Sequence, residues 1–303
     1  MLQNTPRNRH VRARGAPRAL ITLVILMAVI IIVSTPAMLH NPKNSANLEN
    51  IAGLLRYADV LTLSSFNGID ALLCDYYEAA QYNLDDYIGD EGVRELVITA
   101  EKAVVRFTPV APKGQGGSNA AGVLIEKMAR GGLLCQRTTS SVGFSWDPLS
   151  RRLEIRLQGG LFEFRLPPLG GSMVEVHARD SMVDGQLVDV GKLRLRLDSS
   201  LVNLVGEVSS GAWGGMDLWL KDGFARLFLG GTVRGNATMN LEARSSFLIL
   251  EPILGWVCLQ NVASYNSLLS TNYLPCSSVS GHASSYVQVN LRAWESLVII
   301  PND

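Results

Sequence analysis

The sequence predicts an α+β protein: an N-terminal transmembrane helix, a long juxtamembrane helix, then a β-rich, mainly antiparallel ectodomain folded as a sandwich or roll. Three observations predict it. Residues 19–39 form an uncharged apolar run, residues 48–87 carry apolar side chains at helical spacing, and from residue 93 short runs alternate apolar and polar.

The apolar run ALITLVILMAVIIIVSTPAML spans Ala19 to Leu39. As a helix it covers roughly 30 Å, the thickness of a bilayer's hydrocarbon core. Ahead of it stand Arg7, Arg9, Arg12, Arg14 and Arg18 and no acid, so the first 18 residues are expected to stay cytoplasmic and the chain from His40 to lie outside. The expected layout is a basic leader (1–18), a transmembrane or signal-anchor helix (19–39), a linker and juxtamembrane helix (40–92), and an extracytoplasmic β domain (93–303). Pro167-Pro168-Leu169-Gly170-Gly171 offers a sub-boundary at 167–171; one continuous β domain fits equally well.

All 27 acidic residues follow Arg18, against 22 of the 27 basic ones, so the outer part carries a net −5. That balance argues against a nucleic-acid partner and against a polybasic membrane-surface role. The four cysteines, Cys74, Cys135, Cys258 and Cys276, permit two disulfides outside the cytoplasm. The expected pairs are Cys258–Cys276 as a local staple and Cys74–Cys135 as a tie between helix and domain; buried free thiols are the other reading. No CxxC or Cys/His cluster is present, so neither a metal nor a cofactor is expected.

Three fates are open to the apolar run. It stays as an uncleaved anchor, or it is a signal peptide cut after Ala37 with Thr35 and Ala37 as the −3 and −1 residues. The third rests on the junction Arg18-Ala19-Leu20-Ile21: a basic residue, a small residue, then an unbroken apolar stretch. This junction resembles the class III signal of archaeal type IV pilin-like surface proteins. The resemblance covers four residues plus the apolar helix. It implies cleavage between Ala19 and Leu20 and self-assembly through residues 20–35. Pro36 and the large outer domain depart from that pattern.

Within 48–87 the helical positions are Leu48, Ile51, Leu55, Ala58 and Leu61, then Phe66, Ile69, Leu72, Leu73, Tyr76 and Ala80. Gly89 ends the predicted helix. The carboxylates Asp85, Asp86, Asp90 and Glu91 read as a solvated acidic face, because no calcium-loop spacing joins them. Leu96 to Val110 reads as one or two strands, residues 112–118 as a glycine-rich surface loop without phosphate-binding spacing, and Ala120 to Arg130 as a short helix. Leu153-Ile155-Leu157 and Phe162-Phe164-Leu166, around Gly159-Gly160, predict a hairpin. Met216 to Leu220 and Phe224 to Leu229, around Asp222-Gly223, predict another. Leu193, Leu195 and Leu197 give a strand with its arginines outward, and more strands follow at 232–241, 246–250, 255–260 and 286–300. Residues 262–285 read as a long loop pinned by Cys258–Cys276.

No catalytic constellation emerges. His10, His40, His177 and His282 share no ligand or triad spacing, and Ser145 in Gly143-Phe144-Ser145-Trp146-Asp147 lacks the second glycine and the helix of a nucleophile elbow. Trp213 reads as a core plug at a sheet corner or an exposed contact residue. Asn236-Ala237-Thr238 is the one N-glycosylation sequon, with Asn236 the acceptor if exposed. The chain is therefore expected to be a non-enzymatic, single-pass cell-membrane protein. Its outer domain is structural or adhesive through protein partners, self-assembly included. The alternative is a membrane-anchored ligand-binding module that never assembles.

Overall fold

The computed structural model describes residues 74–88, 92–110, 122–132, 140–208, 213–231, 233–254, 257–278 and 286–301. The chain alternates between two sheets rather than folding back within one. Three strands stand apart from that alternation: β1 (Cys74–Asn83), β4 (Val123–Gly132) and β5 (Ser141–Asp147). The others come as consecutive pairs, one strand in each sheet: β2 (Glu95–Glu101) with β3 (Val104–Pro109), β6 (Arg152–Gln158) with β7 (Leu161–Leu166), β8 (Met173–Arg179) with β9 (Met182–Val190), and β10 (Lys192–Asp198) with β11 (Leu201–Val208). Then follow β12 (Met216–Lys221) with β13 (Phe224–Gly230), β14 (Ala237–Arg244) with β15 (Phe247–Ile253), β16 (Val257–Tyr265) with β17 (Leu268–Thr271), and β18 (Val287–Trp294) with β19 (Leu297–Ile300).

Each pair is one coil of a two-sheet parallel β-solenoid. The nine-stranded sheet runs β16-β18-β14-β12-β10-β8-β2-β6-β5 and the ten-stranded sheet β1-β4-β7-β3-β9-β11-β13-β15-β19-β17. Stacking order departs from chain order at both ends. The β2–β3 coil lies between β6–β7 and β8–β9, and β18–β19 is inserted between β14–β15 and β16–β17. Within the stack the register is regular: Leu193 faces Met216 and Met216 faces Met239 across parallel pairs. Alternate residues of the central strands therefore fall on lines inside the solenoid. Ile98, Val176, Leu195, Leu218, Leu241 and Leu291 form one buried line from one sheet, and Val105, Val183, Val202, Ala225, Leu248 and Val298 one from the other. This dry seam is the main stabilising term, since each such valine, leucine or isoleucine contributes about 1.5–3 kcal/mol on burial.

In seven of the eight coils the corner between the two strands is built the same way; in the β6–β7 coil it is Gly159-Gly160. Lys102, Asp180, Ser199, Asp222, Ser245, Asn266 and Glu295 have φ between 46° and 51°, the left-handed region that turns the chain sharply. The residue after each is small: Ala103, Ser181, Ser200, Gly223, Ser246, Ser267 and Ser296. These serines point inward and form a ladder. The backbone N–H of Ala103 donates to Ser181 Oγ at 3.1 Å, Ser181 N–H to Ser200 Oγ at 3.2 Å, Gly223 N–H to Ser246 Oγ at 3.2 Å, Ser246 N–H to Ser296 Oγ at 3.2 Å, and Ser296 N–H to Ser267 Oγ at 3.1 Å. Each hydroxyl in turn donates to the carbonyl two residues back, as Ser200 does to Asp198 at 2.7 Å. A buried corner would otherwise orphan its amides, and the serines remove that penalty. Gly223 stands where a Cβ would meet the Ser200 carbonyl oxygen at 2.5 Å.

The α+β expectation is overturned. The described residues are 70% strand and 4% helical, and the helical part is two short 3-10 turns, Leu84–Tyr87 and Cys276–Ser278. Of the helix predicted over 48–87, residues 48–73 lie outside the described residues, and 74–83 form β1, paired antiparallel with β4; positions four apart such as 76 and 80 satisfy a strand's period as well as a helix's. The predicted helix at 120–130 is β4 itself. The mainly antiparallel sandwich or roll is also corrected: apart from the pairs made by β1, β4 and β5, the ladders are parallel. Neither predicted hairpin forms. β6 and β7 lie in different sheets, as do β12 and β13, and Asp222-Gly223 is a corner between sheets. The loop predicted at 262–285 contains the end of β16 and all of β17. Among the described residues no helix is long and apolar enough to cross a membrane, and residues 19–39 lie outside them. Pro167-Pro168 sits between β7 and β8, and buried residues on both sides of it share one core.

The β1 end of the stack carries a polar cap. Tyr82 donates to Glu126 at 2.8 Å, Ser140 also donates to Glu126, and Phe144 of β5 stacks on Tyr87 at 4.0 Å. Burial, helped by the Glu126 carboxylate, pushes the Tyr82 phenol up to about 12.

Candidate binding face

In a parallel in-register stack, outward residues at equivalent positions form columns. On the nine-stranded sheet one column reads Glu175, Arg194, Asp217, Asn240, Asn290, Asn261. It is a continuous polar ladder. Asn261 Nδ2 donates to Asn290 Oδ1 at 2.8 Å, Asn290 Nδ2 to Asn240 Oδ1 at 3.0 Å, and Asn240 Nδ2 to Asp217 Oδ1 at 2.8 Å. Asp217 Oδ2 then takes Lys192 Nζ at 3.0 Å and Arg194 Nε at 3.4 Å, and Arg194 reaches Glu175 at 3.6 Å. Asn290 and Asn240 each supply one donor and one acceptor along the stack, as the carboxamide allows, and Asn261 starts the ladder as a donor.

The neighbouring column reads His177, Arg196, Trp219, Glu242, Arg292, Ala263. His177 Nε2 lies 2.6 Å from Glu175. Glu242 is held by Arg244 at 2.8 Å, and the Arg244 guanidinium also lies 4.8 Å from the centre of the Trp294 ring. The two columns line an open concavity of about 1110 Å³ on the outer surface. Burial raises the Asp217 carboxyl, but hydrogen bonds from Asn240 and Lys192 and the adjacent cations outweigh it and hold it below its ordinary value. Glu175 behaves likewise, burial being outweighed by His177 and then Arg194.

The residues singled out from sequence fall elsewhere. Cys258 and Cys276 form a disulfide with Cα atoms 4.9 Å apart, joining β16 to the 3-10 turn Cys276–Ser278. Leu259 N–H donates to the Leu274 carbonyl beside it, at 3.0 Å. Cys74 begins β1, and Cys135 lies outside the described residues, as do Arg18, Ala19, Leu20, the loop at 112–118, Asp90 and Glu91. Asn236 is exposed, immediately before β14. Ser145 is an exposed mid-strand residue of β5, and Trp213 is buried with its Nε1 lacking a partner. Among the described residues no group of three His, Cys, Asp or Glu side chains could hold a metal ion.

The face itself escaped sequence reasoning, although a signal existed. Aligning LRLRLD, MDLWLK, TMNLEAR and VQVNLRAW by their inward residues puts Arg194, Asp217, Asn240 and Asn290 in one line and Arg196, Trp219, Glu242 and Arg292 in the next.

No protein family matches the chain, and no curated protein does. Among solved structures, one from Clostridium sporogenes described as a putative cell adhesion protein aligns with 76% of this chain and all of its own, at 9% identity and a TM-score of 0.35.

Proposed function

We propose that this chain is an extracytoplasmic structural or adhesion protein, held at the cell membrane by residues 19–39, whose solenoid makes contacts through the outer face of its nine-stranded sheet. The observation that carries the reading is that face. Its side chains are locked in register by the Asn261-to-Asp217 ladder, so a broad contact surface is already ordered before a partner arrives. The basic leader and the apolar stretch support the placement, and the exposed Asn236 sequon accords with it.

The test has two parts on the native full-length chain. Protease added to intact cells should remove the region 93–303, and an untouched chain would contradict the placement. Beads coated with the full chain should adhere to cell surfaces, and Trp219→Ala with Asn290→Ala should reduce that adhesion; adhesion unchanged by both would contradict the role of this face.

The resemblance around Arg18-Ala19-Leu20 favours a second form of the same function, assembly into filaments through residues 20–35. An N-terminal sequence beginning at Leu20 supports it. Retention of Met1 removes it in favour of a permanent anchor, and a start at Met38 removes both in favour of a released domain.

A further inference from the structure

We infer that the Arg196–Trp219–Arg292 column is a binding site for an acidic polysaccharide, one whose sugar rings carry carboxylates. This deepens the adhesive reading of the same face by naming the class of partner.

The charge pattern comes first. Every carboxylate that lines the concavity is already engaged: Glu175 by His177 and Arg194, Asp217 by Lys192 and Arg194, and Glu242 by Arg244. Arg196 and Arg292 are exposed, and neither has an ion-pair or hydrogen-bond partner among the described residues. A chain with net −5 beyond Arg18 thus presents, on this one face, two guanidinium forks with nothing to bind. Such forks match carboxylates in geometry as well as charge.

Spacing and shape come second. Arg196, Trp219, Glu242 and Arg292 lie on successive strands β10, β12, β14 and β18, so the two arginines stand about 14 Å apart at ~4.8 Å per strand. Trp219 is half-buried between them, and among the described residues its ring is stacked on no other ring or cation. An indole face of this kind suits the C–H face of a sugar ring, while the amides of Asn290 on β18 and of Asn261 and Gln260 on β16, further along the same concavity, supply donors and acceptors for the hydroxyls of the next sugars. An acidic peptide fits less well. The strands β10, β12, β14 and β18 are paired on both sides, so no main-chain edge is available for strand addition and all recognition falls to side chains.

The experiment uses the full chain in detergent micelles, with polygalacturonate, its methyl-esterified neutral form, and poly-glutamate as probes. Polygalacturonate should bind, with the neutral form weaker by about tenfold or more, the weight of one charge-assisted hydrogen bond, and poly-glutamate weaker by about tenfold because it brings no sugar face to Trp219. Arg196→Gln and Arg292→Gln should each weaken polygalacturonate by about tenfold, and Arg292→Lys should restore only part of the loss. Trp219→Ala should weaken it similarly and Trp219→Phe much less, with unchanged melting temperatures certifying the fold. Asn203→Ala, on the opposite sheet, should change nothing. The inference is overturned if polygalacturonate does not bind, or if poly-glutamate binds equally well and Trp219→Ala spares both. Lost cell adhesion with this binding pattern intact would sink the adhesive reading and leave the site standing; retained adhesion without the pattern would do the reverse.

Discussion

The solenoid contains two hydrogen-bonded ladders that both follow the stack of coils and differ above all in their access to water. The corner ladder of Ser181, Ser200, Ser246 and Ser296 is buried and answers backbone amides. The asparagine ladder from Asn261 to Asp217 lies on the surface, and its groups could be solvated instead. A buried amide that loses its partner carries the full desolvation penalty, whereas an exposed amide simply takes up water. The inner ladder therefore specifies the stack, and the outer one orders a surface at little energetic consequence.

The largest expected effect concerns the closing element beside the end of the outer ladder. Reducing the Cys258–Cys276 disulfide, which closes a loop of sequence separation 18, should cost about 3 kcal/mol. Hydrogen exchange should locate the loosening in β16 and β17, leaving the coils around β10 protected. Uniform loosening would mean that the last coil is not a separable unit.

Next comes Ser246→Ala, which leaves the buried Gly223 N–H without an acceptor and should destabilise by about 1–3 kcal/mol in chemical denaturation. Asn290→Ala breaks two links of the outer ladder and should cost less than about 1 kcal/mol. Equal losses for the two would erase the distinction between the ladders.

The smallest effect separates them by pH. The folded pKa values of Asp217 and Glu175 are depressed, so their contribution is complete above the ordinary values of 3.8 and 4.5 and is lost as pH falls through the lower folded values. The serine ladder contains no group that titrates there. Melting temperature should therefore fall on acidification below about pH 4.5, and less steeply in Asp217→Asn than in the parent protein.

Strand identity and facing were legible for segments such as β6, β7, β10 and β12, whereas β1 and β4 read as helices and β17 as loop, and connectivity was not legible. KLRLRLD announces a strand with Leu193, Leu195 and Leu197 inward, and so it stands. Asp222-Gly223, however, reads the same whether it reverses a chain within a sheet or turns it into the next one. What distinguishes the two is that Ser181, Ser200, Ser246 and Ser296 recur at the equivalent place, a relation among distant segments that no local pattern displays. The exchanged stacking of β16–β17 and β18–β19 depends on long-range packing and left no mark in either segment. The binding face inherits that difficulty, because Arg196, Trp219 and Arg292 become neighbours only once the coils are in register.

The most direct test of that register is the dipolar separation between spin labels placed site-specifically at positions 196 and 292 of the folded protein. Three parallel strand steps predict a backbone separation of about 14 Å, within the broadening range of a continuous-wave spectrum. A separation beyond about 20 Å, with no broadening, would contradict the stacked order β10-β12-β14-β18 and with it both the ladder and the site built upon it.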